Sequence, residues 1–253
     1  MSVSRRGFLA TTASALALPT AWACGRGFIE PGVGDPQLSA RPGDPTVPPS
    51  VGSTRLGLGN PRDGYLWVPA GYAADTPAPL VVALHGAGQS ADLWDAYRAR
   101  ADARGFVLLA PESRGNTWDI VANRTFGPDV AFIDRALAFA FDRCRIDPAR
   151  LALAGFSDGA SCALSLGVSN GDLFTHLIAY SPGFLYPTEP IVGTPPVFIS
   201  HGTADPILPF HGTRDDVVPR LRDAGYTVNF QSFDGGHTIP AEISELALDW
   251  FLA

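Results

Sequence analysis

The sequence predicts an α/β fold, a mostly parallel sheet with helices on both faces, and three observations carry that prediction. Short runs such as Leu80-Val81-Val82-Ala83-Leu84 are apolar throughout, which suits strands covered on both faces. These runs alternate along the chain with longer stretches of helical period. The helical stretches also carry end signals: glycine just past the last turn at Gly105 and Gly225, and proline in the first turn at Pro128.

In order, residues 54–68 read as two short strands joined by the turn Asn60-Pro61-Arg62-Asp63-Gly64. The run 79–84 is a central strand stopped by His85-Gly86, 91–104 a helix, and 106–110 the next buried strand. A loop over 112–127 leads into a helix over 128–143, then a strand at 151–155 and a helix from Ser157 to about 168. Strands at 177–180 and 197–200, a helix over 213–224, a strand at 228–233 and a helix over 240–252 complete the pattern. In such sheets ligands bind beyond the carboxyl ends of the strands. Every candidate residue below lies there.

Upstream of this body, Ser4-Arg5-Arg6-Gly7-Phe8-Leu9 is a twin-arginine export pattern. The apolar stretch 7–18 is shorter than the ~20 residues a membrane span needs, and it runs on to the cleavage signature Ala21-Trp22-Ala23. Residues 1–23 therefore read as an export signal, placing the protein in the periplasm or outside the cell. Cys24 permits a lipid anchor, although Ala21 stands where a lipobox has leucine; any membrane contact rests on that lipidation. Residues 24–53, with Pro31, Pro36, Pro42, Pro45, Pro48 and Pro49, read as a flexible linker. The rest, 54–253, is one catalytic domain, without internal repeats and expected to be a monomer.

Composition removes several function classes. The net charge is −7 and no basic patch is present, which argues against nucleic acid. All 18 Lys+Arg residues are Arg, so Schiff-base enzymes, Ser-Lys dyads and Walker phosphate loops are excluded. Cys144 and Cys162 lack metal-site spacing. An exported protein permits a disulfide between them. Val130, Ile133, Leu137, Phe141 and Cys144 share one helical face, however, and so favour a buried thiol.

Gly155-Phe156-Ser157-Asp158-Gly159 is a G-x-S-x-G pattern between a strand and a helix, the context in which it presents a nucleophilic serine. A serine hydroxyl needs a base. Of the five histidines, His85 and His201 precede glycine at strand ends and are open to backbone-positioning roles. His176 opens a strand, and His211 lies near a helix start. His237 follows the final strand and is the candidate base. Asp205, after the penultimate strand, is the candidate orienting acid; Asp234 is nearer in sequence but sits in a tight turn. The order Ser157, Asp205, His237 is that of the α/β-hydrolases. The backbone amides of Asp158 and of Ala87, in His85-Gly86-Ala87-Gly88, are candidates for the oxyanion hole.

Four strings carry a family resemblance: Leu84-His85-Gly86-Ala87-Gly88, the 155–159 pentapeptide, His201-Gly202-Thr203-Ala204-Asp205-Pro206 and Gly235-Gly236-His237-Thr238-Ile239-Pro240. The region from 79 onward resembles the phospholipase/carboxylesterase branch of the α/β-hydrolases and, more loosely, secreted feruloyl esterases and polyhydroxybutyrate depolymerases. The resemblance implies an α/β-hydrolase fold with about eight strands, the triad Ser157/Asp205/His237, oxyanion amides at Ala87 and Asp158, no cofactor and no metal. Asp158 is a departure, since many members carry glutamine there. The export signal is another, and it argues against a cytosolic acyl-protein substrate.

Only a short Pro-containing loop occupies 181–195, so no large lid is expected. Trp118, Phe184, Ile207 and Leu208 are candidates for the substrate pocket, with structural packing as the competing reading for each. The expected partner is a small-molecule or polymeric ester. A prolyl-oligopeptidase-like peptidase shares the triad order but usually carries a further large domain, not visible here. A non-catalytic binding module would have little reason to keep all three triad residues.

Overall fold

The computed structural model describes residues 34–253; the export signal, Cys24 and the first part of the linker lie outside them. The strands are β1 (Gly52–Arg55), β2 (Gly64–Val68), β3 (Ala78–Leu84), β4 (Val107–Pro111), β5 (Ile146–Phe156), β6 (His176–Tyr180), β7 (Val197–Gly202) and β8 (Val228–Phe233). They form a single sheet in the order β1-β2-β4-β3-β5-β6-β7-β8. The β1–β2 and β2–β4 pairs are antiparallel and every other pair is parallel.

The apolar runs explain the layering. Side chains alternate across a strand, so Leu80, Val82 and Leu84 join the core on one face while Val81 and Ala83 join the core on the other. Helices α3 (Pro128–Phe141) and α4 (Asp158–Gly167) supply the first core, and α1 (Asp95–Arg104) and α7 (Ala241–Leu252) the second. Gly105 ends α1 in the left-handed region at φ 73°, where glycine carries no Cβ penalty. A short α2 (Asp119–Ala122) interrupts the loop before α3.

Three expectations need correction. The strand expected at 151–155 extends back to Ile146, because Ala78 pairs with Ile146 beyond a register shift. The helix expected over 213–224 starts earlier, with α5 (Phe210–Gly212), and runs through a π-helical segment (Thr213–Val217) into α6 (Val218–Asp223). Pro219 follows the π segment and has no N–H to continue an α ladder there; the Val218 amide instead reaches back to Thr213 O.

The third concerns the linker. Residues 34–51 are laid against the domain, so this part of the expected linker is not a free segment. Asp134 on α3 accepts from Ser39 N, Ser39 Oγ and Ala40 N, Asn170 clasps Leu38 N and Pro36 O, and Leu38 is buried in the core. Composition indicated an irregular backbone, but the groups that satisfy this backbone come from side chains about a hundred residues away. Cys144 and Cys162 are both free and buried.

Candidate active site

The sharp turn between β5 and α4 puts Ser157 at φ 57°, ψ −119°, a conformation that side-chain-bearing residues rarely adopt. Its amide donates to Tyr180 O at 2.9 Å, which ties the turn to β6. The flanking glycines are required by contact. A Cβ on Gly155 would stand 2.1 Å from Gly159 O, and one on Gly159 would stand 2.2 Å from Leu84 O and 2.5 Å from His85 O. All these neighbours are backbone atoms that cannot swing aside. Gly159→Ala is therefore expected to destabilise by about 3 kcal/mol or more, read as a fall in denaturation midpoint or loss of soluble protein. A midpoint within 1 °C or so of the parent would contradict this crowding.

Two loops bring the other candidates together. His237 Nδ1 donates to Asp205 Oδ2 at 2.6 Å, which leaves Nε2 as the acceptor nitrogen. Asp205 Oδ1 accepts from the amides of Ile207 (2.8 Å) and Leu208 (2.9 Å). Burial pushes the Asp205 pKa up, but the bond from His237 and these two amides outweigh it, so the carboxyl stays below its ordinary value and ionised at neutral pH. The Phe156 ring packs on the His237 ring at 4.7 Å between centroids. Asp234 is exposed, and the His237 ring is bonded to Asp205 instead. Ser157 Oγ makes no hydrogen bond among the described residues, as is common before substrate aligns a nucleophile and its base.

The turn after β3 faces the serine. A Cβ on Gly86 would come within 3.2 Å of Ser157 Cβ. Gly86 N donates to Gln89 Oε1, Gly88 N to Asn116 O and Gln89 N to Gly86 O, so the Ala87 amide lies between donors already engaged. Asp158 opens α4 directly after Ser157, and its Oδ2 accepts from Thr117 Oγ1 at 2.6 Å. His85 is structural: Ser113 N donates to its Nε2, so Nδ1 carries the proton and donates to Gly86 O.

The pocket candidates fare differently. Trp118 is wholly buried, with Nε1 donating to His85 O at 2.7 Å, so it anchors the turn from beneath. Ile207 is 65% exposed beside Asp205. Phe184 lies under the Arg124 guanidinium, and Leu208 packs over Gly183. None of the four lines the cavity of about 410 Å³ at His237, whose walls include Gln89, Trp94, Tyr97, Phe156 and Ile239. Sequence reasoning missed these residues. Their signal was closeness in the chain to the turn after β3, to Ser157 and to His237. Among the described residues no three His, Cys, Asp or Glu side chains converge as metal ligands.

Buried and half-buried histidines make stability sensitive to acid. Burial lowers the pKa of His85, His176 and His201. The unfolded chain takes up these protons below about 6.5 and the folded one resists, so their stabilisation is full above that pH and is lost as pH falls. Asp129 acts oppositely. Burial raises its pKa to about 6, so the folded state holds that proton longer and its contribution is lost as pH rises through that value. The three histidines therefore predict a midpoint that falls from pH 7 to 5, less steeply than it would without Asp129. A thermal denaturation series in which the midpoint holds or rises would contradict it.

Known proteins agree with this architecture. Residues 128–250 match the sequence profile of the Phospholipase/Carboxylesterase family. An acetyl xylan esterase from Aspergillus awamori superposes with a TM-score of 0.61 at 17% identity, over 81% of this chain and 100% of that one. The chain has the α/β-hydrolase fold. Among curated relatives of the chain, one named "Probable feruloyl esterase C", from Aspergillus flavus, is 32% identical over 162 residues, 60% of this chain and 57% of that protein. An "Acetylxylan esterase" from Coprinopsis cinerea is 32% identical over 106 residues, 38% of this chain and 28% of that protein. The chain thus spans little more than half the length of the first and under a third of the second.

Proposed function

We propose that the chain is an exported serine carboxylic-ester hydrolase working through an acyl-enzyme. The observation that carries this reading is the Asp205–His237 bond at 2.6 Å beside a serine held at φ 57° on a strand–helix turn. Ser157 Oγ attacks the ester carbonyl carbon while His237 Nε2 takes the hydroxyl proton. The carbonyl oxygen becomes an oxyanion, met by the amides of Ala87 and Asp158. Collapse breaks the carbon–oxygen bond to the alcohol, and the His237 proton goes to the departing oxygen. Water then repeats the sequence on the acyl-enzyme and releases the acid.

His237 is a wall of the 410 Å³ cavity. It is also the group that protonates the departing alcohol, so the cavity takes the alcohol portion of the ester. The names of the relatives favour esters of acetic or hydroxycinnamic acid on carbohydrate. The export reading rests on Ser4-Arg5-Arg6 and the cleavage signature, both outside the described residues. Labelling with a fluorophosphonate, followed by peptide mapping, tests the chemistry: an adduct at Ser157 is expected, and its absence overturns the reading. Esters of one acid with alcohols of increasing size test the cavity. Rates that follow acyl length and ignore the alcohol would defeat that assignment.

A further inference from the structure

His201 ends the same strand that leads into Asp205, and its ring is wholly buried. Its Nε2 lies 2.8 Å from Leu208 O and 3.1 Å from Asp205 Oδ2. Both neighbours are acceptors, the second an ionised carboxylate, so Nε2 must carry the proton. Nδ1 is then the lone-pair nitrogen, and it is buried without a partner. A second proton there would place a charge with nothing to receive it, and burial accordingly depresses the ring's pKa. His201 is thus a neutral, single-tautomer donor. The titratable groups acting on it are Asp205 and His237, and the Phe210 ring packs on it edge-on at 6.0 Å.

We propose that His201 is a positioning residue for the orienting acid: its Nε2–H bridges Asp205 Oδ2 and Leu208 O, fixing the carboxylate in the rotamer that meets His237. This rests on the triad reading above. The clamp works from two sides. Ile207 N and Leu208 N close a turn onto Asp205 Oδ1, while His201 binds the carbonyl end of that turn and the opposite carboxylate oxygen. Asp205 Oδ2 therefore serves two imidazoles at once. The nearer, His237, is part of the proton-transfer chain; the other holds the carboxylate in place and moderates its pull on His237.

The moderating role separates the clamp from a packing role. Removing one donor from Oδ2 leaves more negative charge for His237, which stabilises the imidazolium and moves the acid limb of the kcat/KM profile upward. His201→Phe keeps the ring's bulk without the donor. It is expected to lower kcat about 10- to 100-fold, as for other partners that orient a functional histidine, and to change KM little. It should also move the acid limb up by about half a unit to one unit. His201→Gln places an amide N–H at a similar reach and should recover most of both changes. Unchanged kcat and acid limb in His201→Phe, or a loss that His201→Gln does not recover, overturns the proposal.

Should His201→Phe fail to fold, ¹⁵N NMR of the unaltered protein still decides. The proposal requires His201 to stay neutral and protonated on Nε2 across the pH range of activity, and an Nδ1–H tautomer overturns it. A parent protein that takes no fluorophosphonate at Ser157 would instead sink the triad reading, so the two failures are distinguishable.

Discussion

Ser157→Ala is expected to lower kcat for ester hydrolysis by about 10⁴- to 10⁶-fold, the range seen when a triad nucleophile is removed, with no measurable loss of stability. The first half follows from the proposed chemistry, since no other residue at the turn supplies a hydroxyl to the acyl carbon. The second follows from the geometry. Ser157 Oγ makes no hydrogen bond among the described residues, so its removal orphans no partner. Alanine also keeps the Cβ and meets the same φ of 57° as serine. The turn is held by Gly155, Gly159 and the Ser157 N to Tyr180 O bond, and the substitution leaves all three in place. Activity and thermal midpoint should be measured on the same preparation. Retention of more than about one per cent of kcat would refute the nucleophile assignment, because the residual catalysis of an oxyanion hole alone is far smaller.

The second large effect is expected from Asp205→Asn, a fall in kcat of about 10⁴-fold. With the amide oxygen kept toward Ile207 N and Leu208 N, the amide nitrogen faces His237 Nδ1 and His201 Nε2. Both of those positions carry protons, so donor meets donor. The least costly relief moves the His237 proton to Nε2, which is the nitrogen that must accept from Ser157. The base is then lost without being removed. Because the Asp205 pKa is held below its ordinary value, the native carboxylate stays charged well into the acid range. Its own stabilisation is present above about 3.9 and disappears only as pH falls through the lower folded value. Activity that Asp205→Asn reduced by less than tenfold would mean that Asp205 does not orient His237. A stability loss of about 1–3 kcal/mol should accompany the substitution, from the buried donor left unmatched.

Much of this site was legible in the chain because its requirements are local. A strand running into a helix through a single turn residue, Ser157, admits only glycine at Gly155 and Gly159, and the pentapeptide records that constraint. His237 and Asp205 were legible from their order after the last two strands, since parallel pairing brings the carboxyl ends of β3 to β8 to one edge. Trp118 stood open between pocket and packing because its place on a polar loop says nothing of depth; the loop folds inward and the indole spans to His85 O, which is the packing reading. His201 was read as open to a backbone role, and its bond to Leu208 O bears that out. Its second acceptor, Asp205, depends on the return of the 203–208 turn.

The sequence by itself determined the class of fold, the strained serine turn, the order of the three candidate residues and the exclusion of lysine chemistry. Each depends on residue type at short range or on the period of apolar positions. Tertiary structure alone decided the docking of 34–51, the wall of the cavity and the second imidazole on Asp205. Those features are contacts between groups whose approach is set by the packing of α1, α3 and α7 on the sheet. A buried hydrogen bond is specified by where two elements meet, and neither partner's local sequence carries that information.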